Sequence, residues 1–321
     1  AEKALQMVTS GEHVPANQCL EMGLVDELTE ENDLKNGAVI FAKKLVTENR
    51  PLVKVRDAQD VVEKDRGNDQ LFADVRKSLA RKTRGFLAPE YNIQCIEAAV
   101  NLPFDEGIKV EGKLFMELMM GNQSRAQQYL FFAQRQVNKI PDIERDTELK
   151  SVESVGVIGA GTMGGGISMN FANAGIPVTI VEQSQERLDK GLSIIRKNYE
   201  NTAAKGRITA AQVEERMGLI DGKTSLEDLN TQDLIIEAVF ENMDLKKEIF
   251  TKLDSICKDG AILASNTSAL DVNEIASVTN RPEDVIGLHF FSPANIMKLL
   301  EIVRGDKTSK TVVATSMAVA K

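Results

Sequence analysis

Hydrophobic positions recur at two different periods along this chain. Up to about residue 150 they fall three and four apart, the repeat of helices with one buried face. AEKALQMV, beginning at Ala1, is one amphipathic piece, and a short helix after Pro15 stops at Gly23. Further helices are expected over 31–48, closed by Asn49-Arg50-Pro51, and over 88–102, 104–120 and 125–138. In the third of these Leu114, Phe115, Leu118 and Met119 share a face. The last places Tyr129, Phe132 and Gln136 on one side, with Leu130, Phe131 and Val137 nearby, which predicts a helix packed on more than one side. The charged stretch 56–67 reads as solvated surface. Pro141 and the charged IERDTELKS segment read as a linker.

From Val152 the period changes. VESVGVI, PVTIVEQS, DLIIEAVFE, AILASNTS and VIGLHFFS are short apolar runs separated by helical stretches. That alternation predicts a doubly wound, mainly parallel sheet with helices on both faces, an α/β fold preceded by a mainly helical segment. In VIGLHFFSPANIMKLLEIV two apolar strands are joined by a short loop, yet one ends in His289 and the other holds Glu301. A carboxylate in such a run is costly unless paired, and the histidine stands where it could pair.

Composition narrows the chemistry. Two domains fit the 321 residues, and the formal net charge of −9 argues against nucleic acid or an anionic membrane as partner. It does not exclude an anionic small molecule. Cys19, Cys95 and Cys257 are too few and too scattered for a disulfide framework or a zinc site, and with only two histidines no metal site is expected. His13 sits in a polar turn with no visible partner. The sequence contains no membrane span and no signal peptide, so a secreted protein is not expected. Both ends look like mid-helix text, and the chain is expected to be a piece of a longer polypeptide.

Gly159-Ala160-Gly161-Thr162-Met163-Gly164 leaves the first run and opens a helix, and the second run ends in Glu182. The spacing is that of a dinucleotide turn. Gly159 permits the bend, Gly161 lets backbone amides approach a pyrophosphate, and Gly164 lets the helix pack closely with its N-terminus toward the phosphates. Glu182 would accept from the adenosine ribose and repel a 2′-phosphate, favouring NAD over NADP.

These residues carry a resemblance. HFFSPANIMKLLEIV resembles the H-F-[FN]-x-P-x-x-x-M-x-L-x-E signature of the 3-hydroxyacyl-CoA dehydrogenases, and GAGTMGGGI, EAVFENMDLK and ASNTSAL resemble that family's other motifs, in order. TSGEHVPANQCLEMGLVDEL and the helices after it resemble the tail of a crotonase (enoyl-CoA hydratase/isomerase) domain. This order is that of the multifunctional fatty-acid β-oxidation enzymes. The resemblance implies a crotonase tail with following helices over 1–140, a linker over 141–152 and a Rossmann NAD-binding domain over 153–321. It implies His289 as catalytic base, Glu301 as its partner and Ser268 as a substrate contact. It also implies Asn266 beside the nicotinamide, and Glu241 and Lys246 near the cofactor. Ser292 stands where some members have Asn. The implied substrate is an acyl-CoA, with a thiolase or a second copy of the chain as expected partner, in a bacterial cytoplasm or a peroxisome.

The chemistry agrees. Oxidising a secondary alcohol requires a base for the hydroxyl proton; imidazole titrates near neutrality, and a carboxylate on its far nitrogen fixes the tautomer. Ser268 can donate to the substrate oxygen. Lys205 and Arg207, expected in a helical insertion, suit CoA phosphates or a solvated face equally. The competing readings are another NAD-dependent hydroxyacid dehydrogenase, and a non-catalytic NAD- or CoA-binding scaffold.

Overall fold

The computed structural model describes every residue except Leu52, Gln59 and Asn138. The chain divides into two compact units, 1–136 and 137–321. The first is built from α1 (Glu2–Ser10), α2 (Ala16–Glu21), α3 (Leu34–Thr47), α4 (Asp60–Glu63), α5 (Asp69–Leu79), α6 (Ala88–Asn101), α7 (Phe104–Met120) and α8 (Asn122–Val137). Its core is small: Leu5 of α1, Phe72 of α5, and Ile93 and Val100 of α6. Arg76 ties α5 to α6 by forked hydrogen bonds to Glu90 and Glu97.

Two expectations change here. Helix α8 buries none of its described residues, and Tyr129 is 78% exposed, so it is not packed on several sides within this unit; the last residue of the expected 125–138 helix lies outside the described residues. Helix α5 goes beyond the expected helices, although Leu71, Phe72, Val75 and Leu79 stand at helical spacing in DQLFADVRKSL.

The second unit is a seven-stranded sheet in the order β3-β2-β1-β4-β5-β6-β7, where β1 is Val155–Ile158, β2 Val178–Val181, β3 Ile220–Lys223, β4 Leu234–Glu237, β5 Ile262–Ser265, β6 Val285–Phe290 and β7 Leu300–Arg304. Six strands run parallel and β7 runs antiparallel to β6, with His289 opposite Glu301. The central strands read as unbroken apolar runs because helices cover both faces. Helices α9 (Thr162–Asn173), α10 (Gln185–Ala203), α11 (Ala210–Gly218) and α14 (Lys310–Val319) pack on one face through Ile167, Leu188, Ile195, Val213 and Val312. Helices α12 (Met243–Ile256) and α13 (Val272–Ala276) pack on the other through Phe250, Leu253 and Ile275. Alternation along β4 shows the split: Leu234 and Ile236 join the first layer, and Ile235 joins the second.

The chain order reverses between β1 and β4, and ligands of such sheets bind at the carboxyl ends beside that point. Strand β3 also goes beyond the predicted runs. It pairs only with β2 and buries only Ile220, so the polar IDGK carries no apolar run. Lys205 and Arg207 lie in the exposed turn between α10 and α11, not on a helical face.

Candidate active site

The glycine turn follows β1 at the reversal point. Gly159 has φ 102°, in the left-handed region, and a Cβ there would stand 2.9 Å from the carbonyl oxygen of Ala238, so only glycine fits without strain. Its amide donates to the Val181 carbonyl (2.8 Å), fixing the turn to the end of β2. Gly164 sits in the first turns of α9 so close to the turn that a Cβ would overlap the Gly159 carbonyl oxygen. At Gly161 a Cβ would meet no atom within 4 Å, and this N-cap residue has no side chain to satisfy the first amides of α9. Open space beside unsatisfied N–H groups at a helix N-terminus suits a pyrophosphate. Thr162 is exposed and Met163 half-buried against the core. Glu182, at the end of β2, bends back to the same turn: one oxygen accepts from Ala160 N (3.0 Å) and the other from Gln183 N (2.8 Å). These residues fit a dinucleotide.

Across the reversal point, β4, β5 and β6 bring the remaining predicted residues to one edge. The His289 Nδ1 lies 2.8 Å from Glu301 Oε2, leaving Nε2 for another partner. The histidine side chain is 18% exposed and the glutamate 52%. The ring also lies against Phe291, 4.7 Å between centroids. Asn266 ties this strand to β5, its Oδ1 accepting from Phe290 N (2.8 Å). The Ser268 hydroxyl donates to Glu241 Oε1 (3.2 Å), which also accepts from the Ser268 amide (2.8 Å) and the Thr267 hydroxyl (2.7 Å). Burial would raise the pKa of Glu241, but these hydrogen bonds and the Lys246 charge outweigh it and hold the carboxyl at about 2.

Lys246 reaches the neighbouring carboxylates. It is 1% exposed, with Nζ 2.7 and 2.8 Å from the two oxygens of Glu237 and 3.4 Å from Glu241 Oε2, so it meets carboxylates rather than an open cofactor groove. Its main partner Glu237, wholly buried at the end of β4, is not singled out by the sequence pattern. The available signal is a charge closing an otherwise apolar LIIE run. A cavity of about 380 Å³, lined by Phe171, Leu288, Phe290, Met297 and Ser316, opens among residues of the α9 and α14 layer. Alternation along β6 puts His289 on the opposite face, so the cavity does not mark the chemistry. Among the described residues no group of three or more His, Cys, Asp or Glu side chains is placed to hold a metal, and no helix is long and apolar enough to cross a membrane.

Residues 154–321 match the family model "3-hydroxyacyl-CoA dehydrogenase, NAD binding domain". Over 99% of its length the chain is 40% identical to a peroxisomal bifunctional enzyme of Cavia porcellus and 38% identical to the one of Homo sapiens. It spans 44% of the length of each. Among solved structures, (S)-3-hydroxybutyryl-CoA dehydrogenase from Ralstonia eutropha is 38% identical with a TM-score of 0.52, covering 53% of this chain and 60% of that one. The dehydrogenase part of multifunctional enzyme 1 from C. elegans is 34% identical with the same TM-score, covering 57% and 42%.

Proposed function

The chain belongs to the 3-hydroxyacyl-CoA dehydrogenase family through its NAD-binding domain, and from that premise we propose that it carries out NAD-dependent oxidation of (3S)-3-hydroxyacyl-CoA to 3-ketoacyl-CoA in fatty-acid β-oxidation. Its cofactor is NAD. The observation that carries the proposal is the 2.8 Å contact between His289 Nδ1 and Glu301 at the carboxyl edge of the sheet. A carboxylate on Nδ1 selects the tautomer whose Nε2 is unprotonated and able to take the hydroxyl proton, and it stabilises the imidazolium that results. Ser268 donates to the substrate oxygen and orients the alcohol. Asn266 holds the end of β6 through Phe290 N, so that His289 faces the site. Glu182 and the Gly159–Gly164 turn hold the ribose and the pyrophosphate. NAD, when bound, supplies the hydride acceptor.

The presence of Ser268, His289 and Glu301 together supports an enzyme over a binding scaffold. The N-terminal resemblance to a crotonase tail, with the relatives named bifunctional, supports a 2-enoyl-CoA hydratase activity in the intact enzyme. The relatives' names support a peroxisomal setting. NADH formation by the intact enzyme, with 3-hydroxyacyl-CoA compared against free 3-hydroxy acids, tests the reading. Turnover of the free acids in preference to the thioesters would refute it.

A further inference from the structure

The charged cluster under the site asks for an explanation that stability does not supply. Glu237 is fully buried, and its Oε1 accepts from Lys246 Nζ and from Val239 N (2.8 Å), while Oε2 accepts from Lys246 Nζ and from Ser265 Oγ (2.7 Å). Its backbone carbonyl takes the Asn266 amide (2.8 Å). Lys246 reaches on to Glu241, which accepts from Thr267 Oγ1, from the amides of Ser268 and Ala269, and from Ser268 Oγ. Thr267 Oγ1 in turn accepts from the Ala269 and Leu270 amides (3.3 and 2.9 Å). The end of β5 is therefore held at Ser265 by the side chain and at Asn266 by the backbone of one glutamate, and the following residues 267–269 by the side chain of another, with the ammonium between the two carboxylates. Replacing a buried ion pair by apolar groups is often neutral or favourable for stability, so such a pair is a poor device for holding a fold together. It is a good device for holding donors at fixed positions, because Glu237 must keep its partners or stand uncompensated in a dry interior, and Glu241, whose side chain is 40% exposed, is tied to it through the ammonium.

We infer that Glu237 is a positioning residue: acting through Lys246 and Glu241, it fixes the Ser268 segment against the end of β6, where His289 stands. The amide of Ser268 stays on Glu241 while its hydroxyl, held by the longer 3.2 Å bond, turns to the substrate oxygen. This deepens the proposed function and rests on it for the part played by Ser268.

The test compares Glu237→Gln and the double variant Glu237→Gln/Lys246→Met with the wild type in the intact enzyme, reading melting temperature, kcat, KM for NAD and amide exchange at Thr267–Leu270. The single variant should lower kcat by about 10–100-fold, the scale of a small misplacement, with KM for NAD nearly unchanged. The double variant, with no buried charge left unpaired, should regain thermal stability without regaining kcat. In both variants the Thr267–Leu270 amides should exchange about 10-fold faster or more, while β1 amides are unchanged. Recovery of kcat together with stability in the double variant, or unchanged exchange in that segment, would overturn the inference. A wild type that oxidises no 3-hydroxyacyl-CoA would instead remove the proposed function, and the exchange rates would then decide on the clamp alone.

Discussion

Placing a methyl group on Gly164 should separate the architecture of the glycine turn from its use. In Gly164→Ala the new Cβ would overlap the Gly159 carbonyl oxygen and stand 2.9 Å from its carbon, both backbone atoms that no rotamer change can move aside. Overpacking of this kind costs about 1–3 kcal/mol, and an obstacle made of backbone puts it at the upper end. At about 2–4 °C per kcal/mol for a unit of this size, the melting temperature should fall by roughly 6–12 °C. Gly161→Ala is the counterpart. Its Cβ would meet nothing within 4 Å, so stability should fall by no more than about 1 kcal/mol, the scale of a changed N-cap. The open space is where the pyrophosphate is expected, so NAD affinity should drop about 10-fold or more, equivalent to at least about 1.4 kcal/mol. Thermal melts followed by circular dichroism, with calorimetric NAD titrations, measure both quantities. A Gly164→Ala protein that melts with the wild type would show that turn and helix are not in close contact. Unchanged NAD affinity in Gly161→Ala would place the pyrophosphate elsewhere.

Glu182→Ala should weaken NAD binding and narrow the preference over NADP; titration of both cofactors reads it, and an unchanged affinity ratio would take Glu182 out of the ribose site. In the intact enzyme His289→Gln should lower turnover by about 10²–10⁴-fold with NAD affinity retained, and Glu301→Gln should lower it less, because half the carboxylate already faces solvent; full activity of Glu301→Gln across pH would make the pair merely structural. Glu241 has its pKa depressed from 4.5 to about 2, so its stabilisation of the 267–269 segment is complete above the unfolded value and lost as pH falls through the folded one. The protection factors of the Ser268 and Ala269 amides, which donate to Glu241, should accordingly hold steady above about pH 4.5 and fall toward pH 2, and Glu241→Gln should abolish that step.

The central strands are legible in the sequence because burial on both faces confines polar residues to their ends, as with Glu237 and Ser265. Strand β3 is hidden for the converse reason: at the sheet edge one neighbour suffices, and IDGK reads as loop. Helix α5 carries a legible apolar stripe in Leu71, Phe72, Val75 and Leu79; what spacing hides is that Arg76 is matched by Glu90 and Glu97 of α6. At the site, His289 and Glu301 are conspicuous as charge-bearing groups within apolar runs. Glu237 is not, since a carboxylate closing a strand looks like an exposed strand end. Only the fold shows that Lys246 returns from α12 to neutralise it.

The pairing of His289 with Glu301 is a matter of strand register rather than of loop shape. The antiparallel ladder between β6 and β7 sets the two residues face to face, and a slip of one residue would send the carboxylate to the other side of the sheet. As long as the ladder holds, the exposed tip 296–299 is free to change without disturbing the imidazole and its partner, whereas Phe291 packs on the ring and Ala294 is buried against α9. That tip carries the exposed apolar side chains of Ile296, Met297 and Leu299. Proton chemistry and whatever this loop recognises are thus inherited separately: one is locked into the hydrogen-bonding of a hairpin, and the other is left to vary at its tip.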